Sequence, residues 1–75
     1  MFKEVECHSP FIMALKSDDS VYIQVRFWRQ MYTIYISKFN EETKNYKDVE
    51  KRIELFSKEE MEKTVEILKQ KYGGV

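Results

Sequence analysis

Between Val21 and Phe39 the chain reads VYIQVRFWRQMYTIYISKF. Apolar and polar residues alternate with period two on both sides of a polar pair, Arg29-Gln30. That is the pattern of a β-hairpin. A turn centred on the pair sets Phe27 opposite Tyr32, Val25 opposite Ile34 and Ile23 opposite Ile36. Val21, Ile23, Val25, Phe27, Tyr32, Ile34 and Ile36 then share one face, which must be buried. Tyr22, Gln24, Arg26, Trp28, Met31, Thr33, Tyr35 and Ser37 share the other. The parity holds on both strands at once, and a slip of one residue would destroy it.

The flanking segments follow from the same logic. Residues 2–8 (FKEVECH) alternate weakly, with Val5 and Cys7 on one side, and predict an edge strand. Ser9-Pro10 ends it, because proline cannot donate to a ladder. Residues 11–15 (FIMAL) are a short apolar run and predict a buried strand. Lys16 to Ser20 is a polar turn cluster without glycine. Residues 40–50 (NEETKNYKDVE) are polar and read as a loop, and residues 51–56 as a short strand with Ile53 and Leu55 on one face.

A helix is expected over 58–72. Ser57 and Glu60 have the spacing of a capping box, Phe56 and Met61 that of a hydrophobic staple, and Gly73-Gly74 that of a left-handed C-cap. Acids occupy the first turn and Lys69 and Lys71 the last, which suits the helix dipole. Met61, Val65, Leu68 and Tyr72 recur at helical spacing and form an apolar stripe, widened by Ile67. The predicted fold class is α+β: a single antiparallel β-sheet of four to five strands (about 2–8, 11–15, 21–28, 31–39 and 51–56), followed by one C-terminal helix (58–72) packed on one face. One helix covers only one face of such a sheet. The other is open or covered by a partner.

Composition narrows the classes. The chain has 75 residues, enough for one small domain spanning 1–75. Such a chain buries little and is marginal without disulfides, metal or oligomerisation. Cys7 is the only cysteine, so no internal disulfide forms, and no Cys/His spacing suggests zinc. Dimerisation, with Ile67 and Tyr72 near the interface, is the expected source of extra burial. The first residues lack the apolar core of a signal peptide, and the longest apolar run is far short of a membrane span. A free cysteine without an export signal fits the cytoplasm.

Catalysis is not expected. Cys7-His8 lacks the partners a nucleophile needs, and His8 is the only histidine. There is no phosphate-binding glycine loop and no triad, so neither enzyme chemistry nor a cofactor is anticipated.

Formal net charge is zero, which counts against a strong non-specific nucleic-acid binder. The distribution is uneven, however. No acid lies between Asp19 and Glu41, while Arg26, Arg29 and Lys38 all do. The hairpin is a small positive island, and a local field of this kind steers anions with strong salt sensitivity. Its second face holds Tyr22, Trp28 and Tyr35 with Arg26, residue types that stack on bases and pair with phosphates. The same face also fits a surface covered by a second layer or a partner, since cross-strand aromatic pairs stabilise sheets by themselves. Lys44 and Lys47 flank Tyr46 in the following polar segment, as a clamp on a nucleic-acid backbone would, or as a plain solvated connection.

The order of these elements, with VRFWRQMYTIYIS, a polar loop, and then Lys51, Arg52, Ile53, Leu55, Ser57, Glu59 and Glu60, resembles a known family. It looks like the single-stranded-DNA-binding domain of the transcriptional positive cofactor four family, including its short bacterial and phage relatives. The similar part runs from Val21 to about Tyr72. The chain has Val49-Glu50 where that family has glycines, and Phe56 is inserted before the capping serine. The resemblance implies a four-stranded sheet with one C-terminal helix, dimerisation through the helices, and a role in transcription regulation. It also places nucleic-acid contacts on Arg26, Trp28, Tyr35, Lys38, Lys44, Tyr46 and Lys47, to which the residue pattern adds Tyr22 and Arg29. Glu41, Glu42 and Glu50 lie in the same loop as the lysines.

The expected function is therefore a small dimeric binder of single-stranded nucleic acid that uses an aromatic and basic open sheet face. The alternative is a protein-interaction module, such as a virus- or plasmid-encoded regulator or inhibitor of a host protein. Neutral charge and an aromatic patch with Arg and Met suit that alternative.

Overall fold

The computed structural model describes residues 1–73. Five strands follow one another in a fully antiparallel meander: β1 (Lys3–Glu4), β2 (Phe11–Lys16), β3 (Val21–Trp28), β4 (Met31–Asn40) and β5 (Asn45–Leu55). One helix, α1 (Lys58–Gly73), closes the chain and packs on β3, β4 and β5. The α+β class and the single helix on one face are as the residue pattern predicts. No helix is long and apolar enough to cross a membrane.

The β3–β4 hairpin has the predicted register, with Ile23 opposite Ile36, Val25 opposite Ile34 and Phe27 opposite Tyr32. Arg29 and Gln30 both take left-handed backbone angles, φ 51° and 63°. Two consecutive positive φ values are the geometry of a type I′ turn, whose twist matches that of the strands it joins. Neither residue is glycine or asparagine, so the turn is strained. Two further residues with positive φ, Ser20 and Lys44, sit at the other two turns. Ser17 builds the first by accepting from the Val21 N–H through its buried hydroxyl, at 3.0 Å.

The core lies between α1 and the helix-side face of the sheet. It comprises Leu15, Val21, Ile23, Val25, Ile34 and Ile36 from the strands and Met61, Val65 and Leu68 from the helix. Phe2 and Tyr72 seal one end of it. A Cβ on Gly73 would stand 3.3 Å from the Phe2 ring, so a small residue there lets the N-terminal segment close against the helix. The Ser57 hydroxyl accepts from the Glu60 N–H at 3.3 Å and caps the helix as expected.

Several expectations are corrected. Phe27 shares the core face but is 44% exposed, touching Tyr32 instead. Phe56 is 78% exposed, so it does not staple to Met61. Ile67 faces solvent and does not widen the apolar stripe. The ladder of the first strand is only two residues long, because residues 5–9 leave the sheet edge after a last bond from Val5 N–H to the Ala14 carbonyl. The helix continues to Gly73, and the rest of the expected C-cap, Gly74, lies outside the described residues.

The largest correction concerns residues 40–50. Only Glu41–Lys44 form a turn, organised by Asn40, whose side-chain oxygen accepts from the Glu42 N–H at 2.8 Å. From Asn45 the chain is already strand and stays so to Leu55. Two irregularities in the pairing of β5 with β4, where Ile53 faces Ile34, Glu50 faces Ile36 and Asp48 faces Ser37, each insert one extra residue. A bulge breaks the period-two pattern, so the sequence of this strand looks aperiodic.

Candidate nucleic-acid interface

The face of the sheet away from α1 is built on alternate residues of β3 and β4. It carries Tyr22, Gln24, Arg26 and Trp28 from β3, and Met31, Thr33, Tyr35, Ser37 and Phe39 from β4. Small residues alternate with large ones, and the large ones lean together. Thr33 and Ser37 are buried although no second layer covers this side. Tyr22 meets Tyr46 of β5 edge to face, with ring centroids 5.3 Å apart, and Phe39 meets Tyr46 at 4.9 Å. Partial burial, and then the neighbouring Tyr22, push the Tyr46 hydroxyl above its usual pKa, so it is neutral at physiological pH.

A second aromatic contact comes from β2. Its pairing with β3 shifts between Phe11 and Met13, and the extra residue, Ile12, is extruded into solvent. The shift turns Phe11 from the core side, where Met13 and Leu15 lie, to the aromatic side. There it pairs with Arg26 in register and meets Tyr35 edge to face at 5.8 Å. Arg26 is thus held between Phe11 and Thr33, beside Tyr35. No carboxylate pairs with it among the described residues, and its Nε is buried without a hydrogen-bond partner.

At the hairpin end, Trp28 is 56% exposed and the Arg29 guanidinium lies over its ring, 5.8 Å from the centroid. At the far end, Tyr46 is 57% exposed. Their partners on β4, Met31 and Phe39, are eight residues apart. At the rise of a strand, that separates the two exposed rings by about 26 Å. Lys16, across from Tyr22, places its ammonium 5.8 Å from that ring.

Tyr22, Arg26, Trp28, Tyr35 and Tyr46 are therefore gathered on one face, with Arg29 at its rim. Lys38 and Lys47 are not. They face each other in register beside Val21, on the helix side of the sheet. Both line a shallow groove of about 680 Å³ with Glu41, Glu42 and Asp48, whose charges offset theirs. Lys44 stands at the tip of the turn, away from the aromatic rows. The expected lysine clamp around Tyr46 is not assembled.

Phe11, Lys16, Gln24 and Phe39 belong to the face and were not among the expected contacts. Phe39 and Gln24 follow the parity of the hairpin and were legible from it. Phe11 was not, because its side is set by the bulge at Ile12. Arg52 also lies on this side, 4.0 Å from Glu54, and that pairing cancels its charge.

Cys7 is half-buried, with its thiol 3.7 Å from the Phe11 carbonyl. Among the described residues no group of three or more His, Cys, Asp or Glu side chains gathers to hold a metal. No protein-family model matches the chain, and no curated protein or solved structure matches it either.

Proposed function

We propose that the protein binds single-stranded nucleic acid on the aromatic face of its sheet. The observation that carries this reading is Arg26. Its guanidinium lies among aromatic rings with no carboxylate partner among the described residues, which leaves its outer N–H groups free to donate to an acceptor. A phosphate is the acceptor for which a planar guanidinium is best suited. Exposed rings at both ends of the face, Trp28 and Tyr46, offer bases a surface without demanding a sequence. The resemblance to the transcriptional positive cofactor four family points the same way, toward a dimeric regulator of transcription.

Trp28 is the only tryptophan, so its fluorescence has one origin. Titration with oligo(dT) should quench it at low salt. With Lys16, Arg26 and Arg29 each releasing a counterion, log K should fall against log salt with a slope of about −2. Quenching that ignores salt, or none at all, overturns the reading.

A second reading, a protein-interaction module, draws on a different surface. Phe27, Tyr32 and Leu55 lie together at the hairpin end on the helix side, and Phe27 is partly exposed there. An apolar patch set apart from the cations suits a protein partner or a second copy of the chain. Phe27→Ser should abolish such an association, read by sedimentation, and leave oligonucleotide binding intact.

A further inference from the structure

After its bond to Ala14, the N-terminal segment crosses beside the aromatic face before returning into β2. Between this segment and the sheet lies a cleft of about 470 Å³. Its floor is Ala14 and Gln24, which are cross-strand partners. One wall is the edge-to-face pair Tyr22 and Tyr46, and the other is the stretch from Val5 to Ser9. The volume lies within the range of small-ligand sites, about 300–1,000 Å³.

Two features specify what fits. Two aromatic rings on one wall suit a planar ring. The Gln24 carboxamide, half-buried at the floor, has no side-chain hydrogen bond with any other described residue. It offers a donor and an acceptor side by side. Lys16 lies over Tyr22 outside the lining and Glu6 stands in the N-terminal wall, so the nearby charges offset each other. A planar ring with a hydrogen-bonding edge is a nucleobase.

We infer that this cleft is a base-recognition pocket, in which Tyr22 and Tyr46 contact one unstacked base and Gln24 reads it as adenine. Glutamine pairs with adenine through both its amide atoms, accepting from N6 and donating to N7. Unstacked bases of a single strand expose that edge. The inference rests on the nucleic-acid reading above and deepens it. Stacking along the face is indifferent to sequence, whereas the cleft adds a preference at one position.

The test compares oligo(dT) with the same strand carrying a single dA at its centre, using Trp28 quenching. The substituted strand should bind about tenfold tighter, within the discrimination a bidentate side-chain–base contact supplies. Gln24→Leu should erase that difference, so that the dA-containing strand binds no tighter than oligo(dT). Gln24→Glu should move the preference to a single dC, whose N4 donates to a carboxylate. Equal affinity for both strands in the wild type, or a dA preference that survives in Gln24→Leu, overturns the pocket and leaves the stacking face standing. Absence of binding by any strand overturns both.

Discussion

The two faces of one hairpin solve the problem of burial differently. Ile23, Val25, Ile34 and Ile36 are sealed by the helix, while their immediate neighbours Thr33, Tyr35 and Ser37 have no second layer above them. The aliphatic side depends on a distant element to exclude water. The aromatic side covers its small residues by lateral contacts between large ones, Phe11 with Tyr35 and Tyr22 with Tyr46. A face that shelters itself does not need a partner to be stable, and its outer rings remain accessible to a ligand. Under the proposed function, the division of labour is stability on one side and recognition on the other.

The sharpest way to break this comparison is on the aliphatic side. Ile34→Ala should cost about 2–5 kcal/mol in chemical denaturation, since the site is fully buried and cannot collapse. For a domain of this size that approaches the whole stability. Tyr35→Ala, one residue along on the other face, should cost about 1 kcal/mol, the scale of a cross-strand aromatic contact. Equal losses would mean that the two faces contribute alike.

Trp28→Ala tests the reverse assignment. It should weaken oligonucleotide binding by about 1–3 kcal/mol, read by fluorescence anisotropy of a labelled strand. Its effect on unfolding should stay within about 0.5 kcal/mol, because the ring is more than half exposed. Next comes the turn that joins the two strands. Gln30→Gly should stabilise the protein by about 1 kcal/mol in thermal unfolding, because glycine relieves a positive φ.

The smallest effect lies where α1 is tied to the bulged strand. The Glu50 carboxylate accepts from the Tyr72 hydroxyl and from Lys71 Nζ at 3.1 Å. Those bonds, the tyrosine first, hold the Glu50 pKa below its ordinary value of 4.5 and raise those of Tyr72 and Lys71. A depressed carboxylate contributes stability that is complete above its unfolded pKa and is lost as pH falls through the folded one. The loss therefore falls below about pH 4.5 and, for a partly exposed group, stays under about 1 kcal/mol. The raised pKa values of Tyr72 and Lys71 add stability that persists through neutrality and is lost only in strong base. Glu50→Gln should flatten the acid limb of the stability–pH curve, followed by urea denaturation at several pH values.

The reliability of the hairpin and the failure at residues 40–50 have one cause. In β3 and β4 every residue keeps its parity, so the pattern of apolar residues reports the face directly. In β5 two extra residues interrupt the parity, and an edge strand mostly exposed to water has little apolar signal to begin with. The result is a polar run that reads as loop. The side of Phe11 is set by a single extra residue at Ile12, and Lys44 and Lys47 were grouped with Tyr46 although proximity along the chain says nothing about side.

Local rules were enough to specify the hairpin register, the turn at Arg29-Gln30 and the helix capped by Ser57. Each depends on residues close in sequence, where periodicity and capping chemistry act. The tertiary structure alone decided which strands bulge, how far β5 extends, that the N-terminal segment walls a cleft, and that Arg26 is left without a partner. Those outcomes depend on pairings between segments far apart in the chain. A bulge is retained only when the partner strand and the layer beneath it gain more from the shifted register than the ladder loses.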